Sequence, residues 1–243
     1  MSQVVKPRRR YESQRRKEQA AQTRRDIIAT AGRLFRDRGY SATSMPLIAT
    51  ESGVVVETVY RAFGSKAGLF RAVMEAVLAG GATRAETDVE RRPAIRAVIE
   101  EQDPRRQIEL YAATQPGIHR RAGPLLRALL GAVATDPELK ALWEEMEAWR
   151  HEGQGRFVEM LAERGHLRPG LSLDVARDVV WTLCSLPVYD LLVVARGWTS
   201  KQYQQWLTAV MKHELQPNSA PAPLSPSSDA RPRGSAERAG PSE

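Results

Sequence analysis

Val55, Val56, Glu57, Thr58, Tyr60 and Arg61 lie in the run TSMPLIATESGVVVETVYRAFGSK, Thr43 to Lys66. Set around the outward face of one short helix, they could meet the base edges of a DNA major groove. Tyr60 and Arg61 lead this set, with Thr58 beside them, and a guanidinium at Arg61 has the geometry to read guanine. Tyr60 either reaches a base or packs on its own domain and offers only its hydroxyl to a phosphate. Both readings stand at this point. Glu57 faces solvent or repels wrong sequences, while Tyr40, Thr43 and Lys66 are expected on phosphates.

Presenting such a face requires a helical hairpin. The first helix should start at Met45, with Ser44 as N-cap and Pro46 in the opening turn, where its missing N–H costs nothing. Ala49 and Gly53 then supply the small crossing residue and the positive-φ turn that let a second helix cross closely. That second helix is predicted over Val56 to Phe63, with Val59 turned inward against Ile48. An ordinary helical hairpin would show the same apolar spacing, so the flanks decide. Upstream, Ile27, Ala31, Leu34 and Phe35 mark one buried face of a helix that Gly39 ends. Downstream, Gly64-Ser65-Lys66 opens a further helix through Leu69, Phe70, Val73 and Val77, whose first N–H groups make a phosphate seat.

From Thr23 to about Val77 the chain resembles the N-terminal domain of TetR family transcriptional regulators. The match runs in order through Thr23, Ile27, Ala31, Phe35, Gly39-Tyr40, Thr43, Ile48-Ala49, Gly53-Val54, Thr58-Val59-Tyr60, Phe63, Lys66 and Leu69. Two positions depart from the family pattern. Val55 stands where Ser or Thr usually caps the recognition helix, and Arg61 stands where His is often found.

Charge is concentrated at the start of the chain. The net charge of +7 over 243 residues matches the balance of residues 1–25, where Lys6, Arg8, Arg9, Arg10, Arg15, Arg16, Lys17, Arg24 and Arg25 face only Glu12 and Glu18. Residues 1–22 therefore read as a flexible basic arm that either lies along phosphates or a minor groove, with Arg24 just behind it, or stays solvated. A nuclear import signal fits Lys6 to Arg10 by composition, but the resemblance points to a bacterium. Residues 217–243 are rich in Pro, Ser, Ala and Gly and are expected to be disordered.

Between these ends, 23–78 forms the helix-turn-helix domain and 79–216 an all-helical regulatory and dimerisation domain, so the fold class is all-α. Helices are predicted over Ala94 to Glu101, Pro104 to Arg120, Pro124 to Thr135, Pro137 to Arg164 with Asp136 as cap, Leu173 to Leu186, Pro187 to Arg196 and Ser200 to Leu215. Pro116-Gly117 should kink or end its helix. The segments TDPELKALWEEMEAWR, LRPGLSLDVARDVVWTLCS and PVYDLLVVARGWTSKQYQQWL resemble an actinobacterial group of TetR-like proteins.

The resemblance implies a homodimer in which the last two long helices of each subunit form a four-helix bundle, here Leu173 to Leu186 and Pro187 to Arg196. Their apolar residues cover more than one face, which agrees. It further implies a repressor on a pseudo-palindromic operator, its two recognition helices about 34 Å apart, released by a small hydrophobic or aromatic effector. A regulator of the same fold without an inducer, constitutive or governed by a protein partner, remains open. Tyr111, Trp143, Met146, Trp149, Phe157, Trp181, Cys184 and Tyr189 are the candidates to enclose a ligand, with His119 and His151 as polar anchors. Each also fits an ordinary core or surface position.

Enzymatic constellations are missing: the chain contains no GxxxxGK[ST], HExxH, GxSxG or CxxC. The four histidines are scattered, and Glu144, Glu145, Glu147 and Glu152 occupy several faces of one helix. No catalytic residue, metal or cofactor is expected. Cys184 has no partner for a disulfide and reads as core or pocket lining. With no apolar stretch long enough for a bilayer and no secretion signal, a cytoplasmic protein is expected.

Overall fold

The computed structural model of the protein describes residues 8–86, 88–134 and 137–217. The readings placed on residues 1–7, on Asp136 and on the tail from 218 onward lie outside the described residues. Among the described residues all regular structure is helical.

Helix α1 runs Arg8–Arg38, α2 Met45–Glu51, α3 Val56–Phe63 and α4 Lys66–Ala79. The caps are local and explain the boundaries. Ser44 accepts from the Leu47 N–H (3.3 Å) and Ser65 from the Gly68 N–H (3.0 Å). Gly53, between α2 and α3, has φ +68°, which a side chain would strain. Ile48 and Val59 are fully buried where α2 crosses α3. The arm departs from expectation, because α1 begins at Arg8 and residues 8–22 continue it as helix. That stretch has neither Gly nor Pro and is dominated by Arg, Gln, Glu, Lys and Ala, which lose little freedom in a helix.

A short helix α5, Ala82–Ala85, follows a turn at Gly80 and Gly81, and α6 spans Pro93–Glu100. Helix α7 is a single helix, Pro104–Val133, with Pro116 and Pro124 inside it. The break expected between Arg120 and Pro124 does not occur, nor does one at Pro116-Gly117. An interior proline costs about 3 kcal/mol. Against this stands a buried face that includes Ile108, Tyr111, Leu125 and Leu129, and burying each such large side chain contributes about 1.5–3 kcal/mol. Helix α8 covers Pro137–Glu163, α9 Leu173–Leu183 and α10 Leu186–Tyr189, which passes into one wider π-type stretch, Asp190–Ala195. The segments expected as Leu173 to Leu186 and Pro187 to Arg196 are thus divided at Cys184-Ser185, where the Ser185 hydroxyl caps α10. The last long helix is α11, Ser200–Leu215, started by a reciprocal capping box between Thr199 and Gln202.

Two hydrophobic cores organise these helices. The first joins α1, α2, α3 and α4 to Ala122, Leu125 and Leu129 of α7 and to Leu139 and Leu142 of α8. The second joins α6, the first half of α7, the second half of α8 and helices α9 to α11. Helix α7 enters the first core at its C-terminal end and α8 at its N-terminal end, so the two run antiparallel and span both cores. At 1.5 Å per residue α7 is about 45 Å long. The division at residues 78 and 79 follows the chain, but the first core crosses it without interruption.

No single helix among the described residues is long and apolar enough to cross a membrane. The bent pair Leu173–Leu183 and Leu186–Ala195 reaches the required length and apolarity only in combination, across a 44° break.

Candidate nucleic-acid interface

Helix α3 is held from below by Val59, Val56 and Phe63, which pack on the first core. Its opposite face carries Glu57, Tyr60 and Arg61, all exposed, beside the exposed Val55. Tyr60 is 49% exposed, so its ring points away from its own domain. Thr58 is half-buried, and Val56 belongs more to the core than to the outward face. Val55 provides the extended N-cap residue of α3 without a side-chain hydrogen bond. The helix starts where it was expected to start, fixed by the Gly53 turn and by Glu57 in its first turn, whose charge suits the helix N-terminus.

The residues expected on phosphates divide into two groups. Thr43 is fully buried, and its hydroxyl donates to the carbonyls of Leu34 (3.2 Å) and Gly39 (2.8 Å). It ties the end of α1 to the start of α2, and its side chain is withdrawn from any phosphate. Tyr40 is also largely buried, its ring stacked on Phe35 at 5.4 Å and edge-on to Phe70. The Lys66 ammonium lies over the Tyr40 ring, 4.1 Å from the centroid, and so reaches the surface beside α3.

Arg24 has a positioning role. Its guanidinium donates to the Ala62 carbonyl at 2.7 Å and covers the Phe63 ring at 4.3 Å. An arginine of α1 thereby caps the C-terminal end of α3. N-terminal to it, residues 14–20 of α1 are exposed throughout and carry Arg15, Arg16 and Lys17.

Behind this face, α4 is gripped by the long helices. Arg71 pairs with Glu145, and Arg121 of α7 donates to the Val77 carbonyl in the last turn of α4 (3.0 Å). A groove remains between α1, α4 and α7.

The eight ligand candidates are not brought together. Trp143 and Met146 pack, half-buried, on the first core, and Trp149 is 43% exposed beneath Arg71. Tyr111, Phe157, Cys184 and Tyr189 are buried in the second core. There Tyr111 stacks on Phe157 at 3.9 Å, filling the space between α7 and α8. Trp181 is covered by Arg150, at 4.7 Å from its ring, and Arg150 also donates to the Trp181 carbonyl (2.7 Å). Burial pushes the Cys184 thiol up to about 12, so it stays protonated at neutral pH.

Of the two histidines, His151 is half-buried beside Asp178, whereas His119 is buried among aromatic rings. It stacks on Tyr189 at 4.7 Å and meets the Tyr203 ring edge-on at 6.1 Å. His119 Nε2 and the Tyr203 hydroxyl are both buried without a hydrogen-bond partner. Tyr203 was missed in the sequence. The i, i+4 pattern through Leu207, Met211 and Leu215 marks it as core, but nothing local to it reports a histidine on another helix.

Residues 27–73 match the family described as bacterial regulatory proteins, tetR family. The N-terminal domain is thus a TetR-type domain. Over nearly the whole described chain the fold is that of TetR-family regulators. It is similar to a Mesorhizobium loti protein assigned to that family of transcriptional regulators, with 20% identity, TM-score 0.60, and 80% of this chain and 95% of that one covered. It is similar to NalD, the secondary repressor of the MexAB-OprM multidrug efflux pump in Pseudomonas aeruginosa, with 24% identity, TM-score 0.57, and 80% and 97% covered. It is similar also to a Saccharomonospora viridis protein, assigned as a transcriptional regulator and solved in complex with choline, with 20% identity, TM-score 0.58, and 81% and 99% covered. At these identities the likeness is one of fold, and the sources single out no subgroup. Among curated proteins no match is found.

Proposed function

We propose that the protein is a sequence-specific DNA-binding transcriptional regulator. It works as a homodimeric repressor that leaves its operator when a small molecule binds. The observation carrying this reading is the outward face of α3, where Tyr60 and Arg61 are exposed on a helix anchored by the buried Val59 and capped by Arg24. Such a face fits a major groove, and the basic N-terminal turns of α1 supply phosphate contacts whose affinity falls with salt.

Dimerisation is supported by an apolar stripe along α9, α10 and the π-type stretch. Val175, Leu191 and Val194 are 52%, 63% and 61% exposed, and Val179, Leu183 and Pro187 continue the stripe at intervals of about one helical turn. A second copy would cover it. Two copies of α3 about 34 Å apart would then read half-sites one DNA turn apart. The repressor role of NalD and the choline bound to the S. viridis protein support release by a small effector. The kinship with actinobacterial proteins, read from residues 135–215, belongs to the same proposal.

The test is a gel shift and footprint on DNA upstream of the protein's own gene, with Tyr60→Ala and Arg61→Ala. A protected palindrome lost in both variants supports the reading. Binding that survives both and merely tracks salt would leave the basic segment as the whole of the affinity and remove α3 from the interface.

A further inference from the structure

Between α1, α4 and α7 lies an open groove of about 480 Å³, within the size range of small-molecule sites. Its floor is apolar, formed by Ile28, Gly32, Val73 and Val77. Gly32 keeps the floor low, since a Cβ there would stand 3.2 Å from Val73 Cγ1. The Arg36 guanidinium folds back over this floor, its Nη1 3.5 Å from the same point. Arg120 comes from the opposite wall on α7. No Asp or Glu lines the groove, and neither Arg36 nor Arg120 has an acidic partner among the described residues. Arg121, the third arginine on the rim, is engaged with the α4 carbonyls.

An apolar trough bordered by two unpaired guanidiniums complements one kind of ligand, a hydrocarbon body ending in a carboxylate. The body removes the floor from water, and the carboxylate supplies the acceptor that a guanidinium fork lacks here. We propose that this groove binds an amphipathic monocarboxylate, its carbon chain on Ile28, Val73 and Val77 and its carboxylate held by Arg36 or Arg120. The ligand touches both sides of a junction. Helices α1 and α4 carry the recognition helix, α7 belongs also to the second core, and Gly80-Gly81, with φ of +83° and +144°, form the lip where α4 ends. Binding that depends on the spacing of these walls favours one setting of α3 over another. This regulatory consequence rests on the reading of α3 as the DNA-contacting helix, whereas the binding itself does not.

Isothermal titration of the full chain with sodium decanoate tests the site, with decanol, decyltrimethylammonium and acetate as controls. Decanoate should bind once per chain, and the three controls at least tenfold more weakly. Arg36→Gln or Arg120→Gln should weaken decanoate about tenfold or more and leave decanol unchanged. Ala29→Trp, at an exposed position on the groove's edge, should weaken decanoate and decanol together. Thermal melts confirm that these surface variants remain folded. The site is overturned if decanoate fails to bind, if the uncharged or cationic chain binds equally well, or if all three variants bind decanoate like the parent. The regulatory consequence is overturned if decanoate binds in the groove and the gel shift does not move. Failure of decanoate with DNA binding intact sinks the groove alone, and a chain that binds decanoate but shows no sequence-specific DNA binding even in its absence sinks the DNA reading alone.

Discussion

Arg71 on α4 pairs with Glu145 on α8, and its guanidinium also lies over the Trp149 ring, 5.3 Å from the centroid. With Arg121 on the last turn of α4, this fastens the helix that follows α3 to the two helices spanning both cores. A shift of α7 or α8 therefore reaches α3 through α4.

The pair is about 40% exposed on each side, so its direct worth to stability is about 1 kcal/mol or less. Arg71→Ala and Glu145→Ala should each lower stability by that amount, with the double variant less than additive in a denaturant cycle. Affinity for operator DNA should fall further than the stability change alone accounts for. Additive losses, together with unchanged DNA affinity, would mean that the clasp transmits nothing.

Thr43 illustrates a residue whose role differs from its first reading. Replacing it with Val keeps the shape and removes a hydroxyl that satisfies two carbonyls. Loss of about 1–2 kcal/mol is expected, with the salt dependence of DNA binding unchanged because no phosphate contact is removed. A lower salt slope in Thr43→Val would return this residue to the phosphate backbone.

The helix-turn-helix was legible because its signals are local. Ser44, Pro46, Gly53, Gly64 and Ser65 each act within a few residues, and α2 and α3 lie where they predict. Helix α7 was divided too early because Pro116 and Pro124 are strong local signals, while the buried face that overrides them is assembled from distant helices. The eight ligand candidates could not be sorted in advance. A Trp or Tyr at helical spacing looks the same facing a cavity or a neighbour, and only the packing shows Tyr111 filled by Phe157 and Trp149 left outside. The groove escaped because it is made by small residues and by the absence of acids, brought together from α1, α4 and α7.

Gly68 fixes how closely α4 follows α3. A Cβ at this position would lie 2.3 Å from the Phe63 carbonyl oxygen, a backbone atom that moves only with the end of α3. Gly68→Ala should destabilise the protein by about 1–3 kcal/mol and reduce operator affinity more than stability, since the displaced residues lie next to Tyr60 and Arg61. Chemical denaturation paired with DNA titration checks this. Unchanged affinity at reduced stability would place the adjustment in α4.

His119 gives the stability of the protein a defined pH dependence. Burial, and next the positive charge of Arg150, hold its pKa down to about 4 against an ordinary 6.5, with Asp190 and a hydrogen bond to the Cys184 backbone opposing. Above pH 6.5 the ring is neutral in both states and contributes no slope. As pH falls from 6.5 toward 4 the unfolded chain takes up the proton and the native chain does not, so stability declines in that window and the slope from this group ends below it. Between pH 7 and pH 5 the loss from this residue is about 2 kcal/mol. His119→Phe, which keeps an aromatic ring against Tyr189, should remove that part of the loss in urea melts at the two pH values. An equal loss in parent and variant would assign the acid sensitivity to other groups and place His119 in contact with water.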